Sequence, residues 1–357
     1  MNFDLSEQQR AFQDALDTLL KAECPLESVL ATFDPQHQPD QRLWSEVMNL
    51  GVGGLLIAEE YGGSGLELLD AAVMAEIAGR HLMPGPLVEH FVASYAIGLA
   101  GTRAQQSKWL PALACGEKRA TVAFCEGTEN WLPCSWRLAG ESGLSGRKSF
   151  VPFADSADLI LVGLEGGQLG IVEAGAAGLR ATARASLDGS RRICDLDFDA
   201  TPVELIGEPG ASAKVYDAAL ILLAADAFGG ASRCAEMTVE YAKERVQFGQ
   251  PIGQFQAVKH QLADMVVEIE PAVGLYWYAA HAFDHEPDKA SMAAALAKSQ
   301  LCDVYTAASR RSIELFGGIG YTWEFGAHMW LKRAVFNRNY FGRPSLHRAR
   351  YADMAGW

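Results

Sequence analysis

The sequence predicts a three-part fold: an N-terminal all-α domain, a small middle β-barrel or sandwich, and a C-terminal four-helix bundle. Three observations predict it. Apolar residues recur at helical spacing through about the first 116 positions. Short alternating runs split by Gly, Asp and Ser follow from about 118 to 206, and long Ala-rich amphipathic stretches take over from about Ala211. These shifts place three domains at 1–117, 118–208 and 209–357.

The first domain opens with Ser6 and Gln9, spaced as a capping box, ahead of Phe12, Leu16, Leu19 and Leu20 at helical intervals. Leu50–Gly65 is a Gly-punctuated connection. An Ala-rich helix follows near Leu68–Ala78, then a break at Pro84-Gly85-Pro86, a helix over about Val88–Leu99 and a short closing helix within Lys108–Glu117. In the second domain TVAFCEG, SWRLAG, KSFVPF, ADLILVGLEG, QLGIVEAG and RRICDLDFD read as strands with their turns. In the third, Val215–Arg245, Phe255–Phe283 and Lys289–Phe316 read as antiparallel bundle helices.

Composition bounds the class. At 357 residues, 49% hydrophobic and 21% charged, the chain has the make-up of a soluble globular protein with a sizeable core. A net charge of −14 argues against nucleic acid and anionic membrane surfaces as partners. The seven cysteines are scattered without a CxxC, as expected of reduced thiols in a cytoplasmic protein. MNFDLSEQQR lacks a basic stretch followed by an apolar one, so no secretion signal is expected. No run is read as reaching the roughly 20 apolar residues of a membrane span.

Two stretches carry chemistry. Arg245–Gln256, RVQFGQPIGQFQ, sets a fixed cation, an aromatic ring, a Gly turn and Pro251 within a few residues. Glu314–Glu324, ELFGGIGYTWE, ends a long helix at Gly317-Gly318. Arg offers a planar fork of donors suited to phosphate, and a Gly-rich turn offers free N–H groups and close backbone approach. Together they suggest a site for a phosphate-bearing cofactor.

At this separation, in a helical C-terminal third, the pair resembles the acyl-CoA dehydrogenase family, which carries R-x-x-F-G-x-x-I-x-x-x-Q and then F-G-G-x-G there. The E-E-Y-G-G-x-G turn at Glu59–Gly65, the W-L-P-x-L-x-x-G-E end at Trp109–Glu117 and the domain order extend the resemblance over essentially the whole chain. The resemblance implies FAD as cofactor and an acyl-CoA thioester as substrate. It also implies a cross-interface role for these stretches: Arg245 on the diphosphate of a neighbour's FAD, Phe248 by its adenosine, Gln256 near the diphosphate, and Gly317, Gly318 and Gly320 under the backbone's approach. Glu314 departs from the usual Gln.

The same resemblance exposes gaps. The T-E-P-x-x-G-S-D and W-I-T-N elements that hold the flavin ring are replaced by Cys125–Cys134 and Leu144–Asp158, leaving Thr128 and Ser149 as weak substitutes. Phe341 stands where the family's catalytic Glu belongs, and the alternative base position falls near Ala219. The nearest carboxylates are Asp217, read as a helix-start acid, and Asp226, read as a half-exposed interface residue. Trp277, Tyr278, Trp323 and Trp330 are candidate pocket walls. The pattern is similar to the shorter, degenerate-site subunit of bacterial α2β2 acyl-CoA dehydrogenases for bulky or steroid side-chain acyl groups. A homologous catalytic subunit is then the expected partner and electron-transfer flavoprotein the expected acceptor. A homomeric enzyme with Asp217 or Asp226 as base, a non-catalytic scaffold and a related flavin monooxygenase stand as alternatives.

Overall fold

A computed structural model describes residues 4–34, 37, 40–140, 143–207 and 210–357. The expected boundary at 208/209 and the first three residues of the N-terminal reading lie outside the described residues.

The N-terminal helices are α1 (Glu7–Glu23), α2 (Leu26–Ala31), α3 (Gln41–Asn49), α4 (Leu68–Arg80), α5 (Leu87–Ala100) and α6 (Arg103–Ala114). The capping box at Ser6 and Gln9 forms as expected, and Thr102 with Gln105 makes a second one at α6. Of these helices α5 is buried nearly all round, because it lies between the long helix that opens the C-terminal domain and the β-domain.

Among the described residues seven strands build the middle domain: β1 (Ala120–Ala123), β2 (Leu144–Pro152), β3 (Leu159–Gly163), β4 (Leu169–Glu173), β5 (Leu179–Arg184), β6 (Ile193–Thr201) and β7 (Glu204–Ile206). They form two sheets, β1-β3-β4-β7 and β2-β6-β5. Ile160, Val162 and Val172 of one sheet meet Val151, Leu196 and Phe198 of the other in a core of their own. The opposite face of the first sheet, with Val122, Leu161 and Ile171, joins the helical core. SWRLAG is not a strand. Its Arg137 and Leu138 amides donate to the Glu126 carboxylate, at 2.8 and 3.0 Å, instead of to a neighbouring strand. Trp136 drives this: its buried ring packs over Gly163, where a Cβ would meet it at 2.6 Å.

Three rods dominate the C-terminal domain: α7 (Ala211–Glu244), the pair α8 (Gln256–Ile269) and α9 (Val273–His285) joined through Pro271, and α10 (Pro287–Phe316). α11 (His328–Asn339) and α12 (Pro344–Ala355) complete the bundle. Successive rods reverse direction, as expected of antiparallel bundle helices, so the first and third, α7 and α10, run parallel. Asp217 meets Ser291, and Thr238 meets Ser312 at 2.8 Å. α7 alone among the described helices has the length and apolarity of a membrane span, which the sequence reading did not expect. However, 89% of its most apolar window is buried against protein.

α4 and α7 cross in backbone contact. A Cβ at Gly79 would sit 2.1 Å from the Asp226 carbonyl oxygen, and one at Gly229 would sit 1.9 Å from that of Glu76.

Candidate functional site

A cavity of about 660 Å³ opens between the β-domain and α11–α12. Trp131, Phe150, Leu187, Phe336, Tyr340 and Leu346 supply its apolar wall, and the exposed ion pair of Arg343 with Glu129 stands at its rim. Thr128 lines it. Ser149 does not, because its backbone is spent on a bridge to Cys125 at 2.9 Å. None of Trp277, Tyr278, Trp323 and Trp330 reaches this cavity. Trp330 is core, and Trp323 instead packs edge-on against Phe33 with Lys332 over its ring at 4.1 Å.

Phe341 lies beside this cavity without lining it, behind the rings of Trp131 and Tyr340. It is 1% exposed, and its ring meets Phe124, Trp131, Tyr216 and Tyr340 at centroid distances of 5.7, 5.7, 5.5 and 4.6 Å. Its backbone sits at φ 58°, unusual for a residue with a Cβ. Hydrogen bonds hold it there: the Phe341 carbonyl accepts from the Tyr216 hydroxyl at 2.6 Å and from His347 Nε2 at 2.9 Å. Burial, with Lys298 and Arg350 nearby, lowers His347 to about 3, so the ring is neutral and Nε2 carries the donated proton. Lys298, fully buried on α10, donates to the carbonyls of Asn337 and Gly342 at 2.7 and 3.3 Å and brackets the same turn. Ala219 is buried on α7 and offers no functional group.

Both Asp candidates have structural partners, and the sequence reading of each needs correction. Asp217 does not start its helix; α7 begins at Ala211. It is 3% exposed, accepts from the Ser291 hydroxyl and lies 3.2 Å from Arg350 Nη2. Burial raises its carboxyl against those two partners. Asp226 is not half-exposed but fully buried. Arg333 Nη2 donates to it at 3.0 Å, Arg191 Nη2 at 3.2 Å and Asn337 Nδ2 at 2.5 Å. Burial works to raise this carboxyl, but the two guanidiniums outweigh it and hold the group below its usual range. Neither Asp lines the cavity. Asp226, held ionised by two guanidiniums, is a poor proton acceptor.

Asp226 belongs to a buried cluster that joins all three parts of the chain. Arg333 Nη1 donates to Ser190 Oγ at 2.7 Å, Ser190 Oγ donates to Asp188 Oδ1 at 2.6 Å, and Arg191 Nη1 lies 3.5 Å from Glu89 Oε2. Sequence reasoning missed these residues because they come from α5, the loop before β6, α7 and α11, with no local spacing to betray them.

At the C-terminal ends of α7 and α10 the surroundings are open. Tyr241, one turn before Arg245, stacks edge-on against Phe316 at 5.0 Å, which sets the two motif stretches side by side. Strands β8 (Val246–Gln247) and β9 (Gln250–Pro251) form a hairpin with Phe248 and Gly249 at its tip, both at positive φ. Phe248 is 93% exposed, Gln256 is exposed at the start of α8, and no acid among the described residues pairs with Arg245. Gly317 stands at φ 67° with open space around it and Gly318, whereas Gly320 is buried against the Ile313 carbonyl. An unpaired guanidinium, an uncovered ring and a bare glycine backbone fit a diphosphate and adenosine approaching from outside the chain. Glu314, exposed on the last turn of α10, is the feature least suited to it.

Known proteins match this arrangement. The acyl-CoA dehydrogenase N-terminal domain matches residues 6–117 and the acyl-CoA dehydrogenase C-terminal domain residues 217–355. "Acyl-CoA dehydrogenase IpdE2" of Mycobacterium tuberculosis is 33% identical over 331 residues, covering 92% of this chain and 91% of that protein. A variant of the steroid ACAD Tcur3481–Tcur3483 superposes with a TM-score of 0.91 at 32% identity, over 98% of both chains. Butyryl-CoA dehydrogenase from Megasphaera elsdenii superposes with a TM-score of 0.91 at 25% identity over the full length of both.

Proposed function

The chain belongs to the acyl-CoA dehydrogenase family, and from that premise we propose that it is the non-catalytic subunit of a heteromeric FAD-dependent enzyme that desaturates a bulky, steroid side-chain type acyl-CoA. Similarity to the steroid ACAD at 32% identity supports the acyl class. A homologous catalytic subunit in an α2β2 assembly, electron-transfer flavoprotein as acceptor and a cytoplasmic location are parts of the same proposal.

The observation that carries this reading is the surrounding of Phe341. The family's base is a carboxylate that removes the α-proton of the thioester, and FAD, the family's cofactor, takes the β-hydride when bound. A phenyl ring accepts no proton, and the two carboxylates that do line the cavity are engaged elsewhere, Glu129 by Arg343 and Asp188 by Ser190. The homomeric alternative needs Asp217 or Asp226, which Arg350 and Arg333 hold away from the cavity. At the open edge Arg245, Phe248, Gln256, Gly317, Gly318 and Gly320 would hold the partner's FAD: the guanidinium as counter-charge, the ring as a stacking face, the glycines as room for the backbone.

The test is flavin absorbance and acyl-CoA turnover, for the chain alone and co-purified with its catalytic partner. The expected result is little flavin and no turnover alone, and about one FAD per pair of unlike chains in the active complex. A full FAD per chain and turnover in a homo-oligomer would overturn it.

A further inference from the structure

A second cavity, of about 350 Å³, lies on the far side of the loop before β6. Asp188 lines the larger cavity, whereas Gly189 and Ser190 line this one. Its walls come from α2 (Ser28, Ala31), Trp44 of α3, the Pro84–Pro86 link, Phe153 and Arg119. It shares none of the residues assigned above to acyl or flavin binding.

Arg119 is the unusual member. It is 5% exposed, yet no carboxylate lies within ion-pairing distance of its guanidinium among the described residues. Its side chain donates to the neutral Gln41 amide at 2.6 Å, and the guanidinium lies 5.0 Å from the centre of the Trp44 ring. The two acids nearby are committed elsewhere. Asp158 Oδ2 accepts from the Arg119 backbone N–H at 2.8 Å, and Asp40 Oδ1 caps α3 through Arg42 and Leu43 at 2.8 and 3.1 Å. Arg192, also in the wall, is matched by Asp155. A buried cation is costly without a counter-charge, and here it borders a space lined by Trp44, Pro84, Pro86 and Phe153.

We propose that this cavity is a binding site for a small aromatic monoanion, whose carboxylate pairs with Arg119 and whose ring lies between Trp44 and Phe153. Glu27 and Asp40 also line the cavity, which selects against ligands of higher negative charge. The volume of about 350 Å³ admits one or two fused rings.

Isothermal titration of the purified full-length chain with sodium 2-naphthoate tests it, with 2-naphthylmethanol as the uncharged control. Naphthoate should bind, the alcohol at least about tenfold more weakly, the difference expected of one charge-assisted contact. Arg119→Gln should lose naphthoate affinity by a similar factor. Ser28→Trp, which fills the cavity from the exposed face of α2 without touching Arg119, should abolish binding while thermal unfolding stays unchanged. No binding to the unmodified chain, equal binding of the alcohol, or undiminished binding in Ser28→Trp would overturn the proposal. Should Arg119→Gln fail to fold, Ser28→Trp and the alcohol decide alone.

Discussion

Two Phe-Gly pairs in this chain adopt the same backbone and meet opposite fates. Phe341-Gly342 has φ of 58° and 95°, and Phe248-Gly249 has φ of 52° and 80°. Left-handed backbone at a Phe costs about 1–3 kcal/mol and needs offsetting. At Phe341 the compensation is internal: a wall of rings, two hydrogen bonds to its carbonyl and Lys298 beneath the turn. At Phe248 the chain offers only an edge-on contact with Phe255 at 6.1 Å, and the ring stays 93% exposed on a two-residue hairpin that Asn-Gly would suit better. One pair is held by its own fold. The other makes physical sense as a surface that a second chain completes.

The sharpest way to break this contrast is Phe341→Glu. A carboxylate placed among Phe124, Trp131 and Tyr216 loses the ring packing and is buried without a partner, so about 3–5 kcal/mol of stability should go in urea unfolding. The isolated chain should gain no dehydrogenase activity, because side chain 341 does not line the cavity and is screened from it by Trp131 and Tyr340; turnover would refute the comparison. A smaller effect probes how dry the interior is. Glu76, hydrogen-bonded to the buried Tyr276 hydroxyl, is raised from 4.5 to about 7, chiefly by burial. The folded protein therefore keeps a proton that the unfolded chain gives up as pH climbs from about 4.5 to 7, and stability falls across that window. Glu76→Gln should remove the fall and be about 2 kcal/mol more stable at pH 8, with no gain at pH 4.

At the open edge, substitution should affect binding and spare the fold. Arg245→Ala should lower flavin retention in the co-purified complex about tenfold while unfolding free energy moves by less than about 0.5 kcal/mol. Phe248→Asn should act in two directions: up to about 1 kcal/mol of added stability for the isolated chain, from relieved backbone strain, and a weaker complex by analytical ultracentrifugation. A Phe248→Asn chain that is both less stable and fully competent in assembly would place the ring's role within the chain.

The domain order and the open edge were legible for a local reason. A switch between periods of 3.6 and 2, a capping box at Ser6, and Arg245 three residues before Phe248-Gly249 are each written within a dozen positions. The closed centre was not. Asp226 finds Arg333 and Arg191 at separations of 107 and 35 residues, so a fully buried triad read as a half-exposed acid. Trp136 turned a strand-like segment into a loop by claiming the space over Gly163, which alternation cannot reveal. The break between α8 and α9 at Pro271 was also missed, since the whole stretch Phe255–Phe283 reads as one helix by its periodicity. Phe341 was visible as a missing carboxylate, but the wall of rings that encloses it was not.

The reciprocal contact of Gly79 and Gly229 has a mechanical consequence. Two helices whose carbonyls occupy each other's Cβ positions have no lubricating layer of side chains, so they cannot slide without collision. The pivot couples the first helical domain to the third like gears sharing a tooth. A torque applied at the hairpin end of α7 reaches α4 as rotation of a single body.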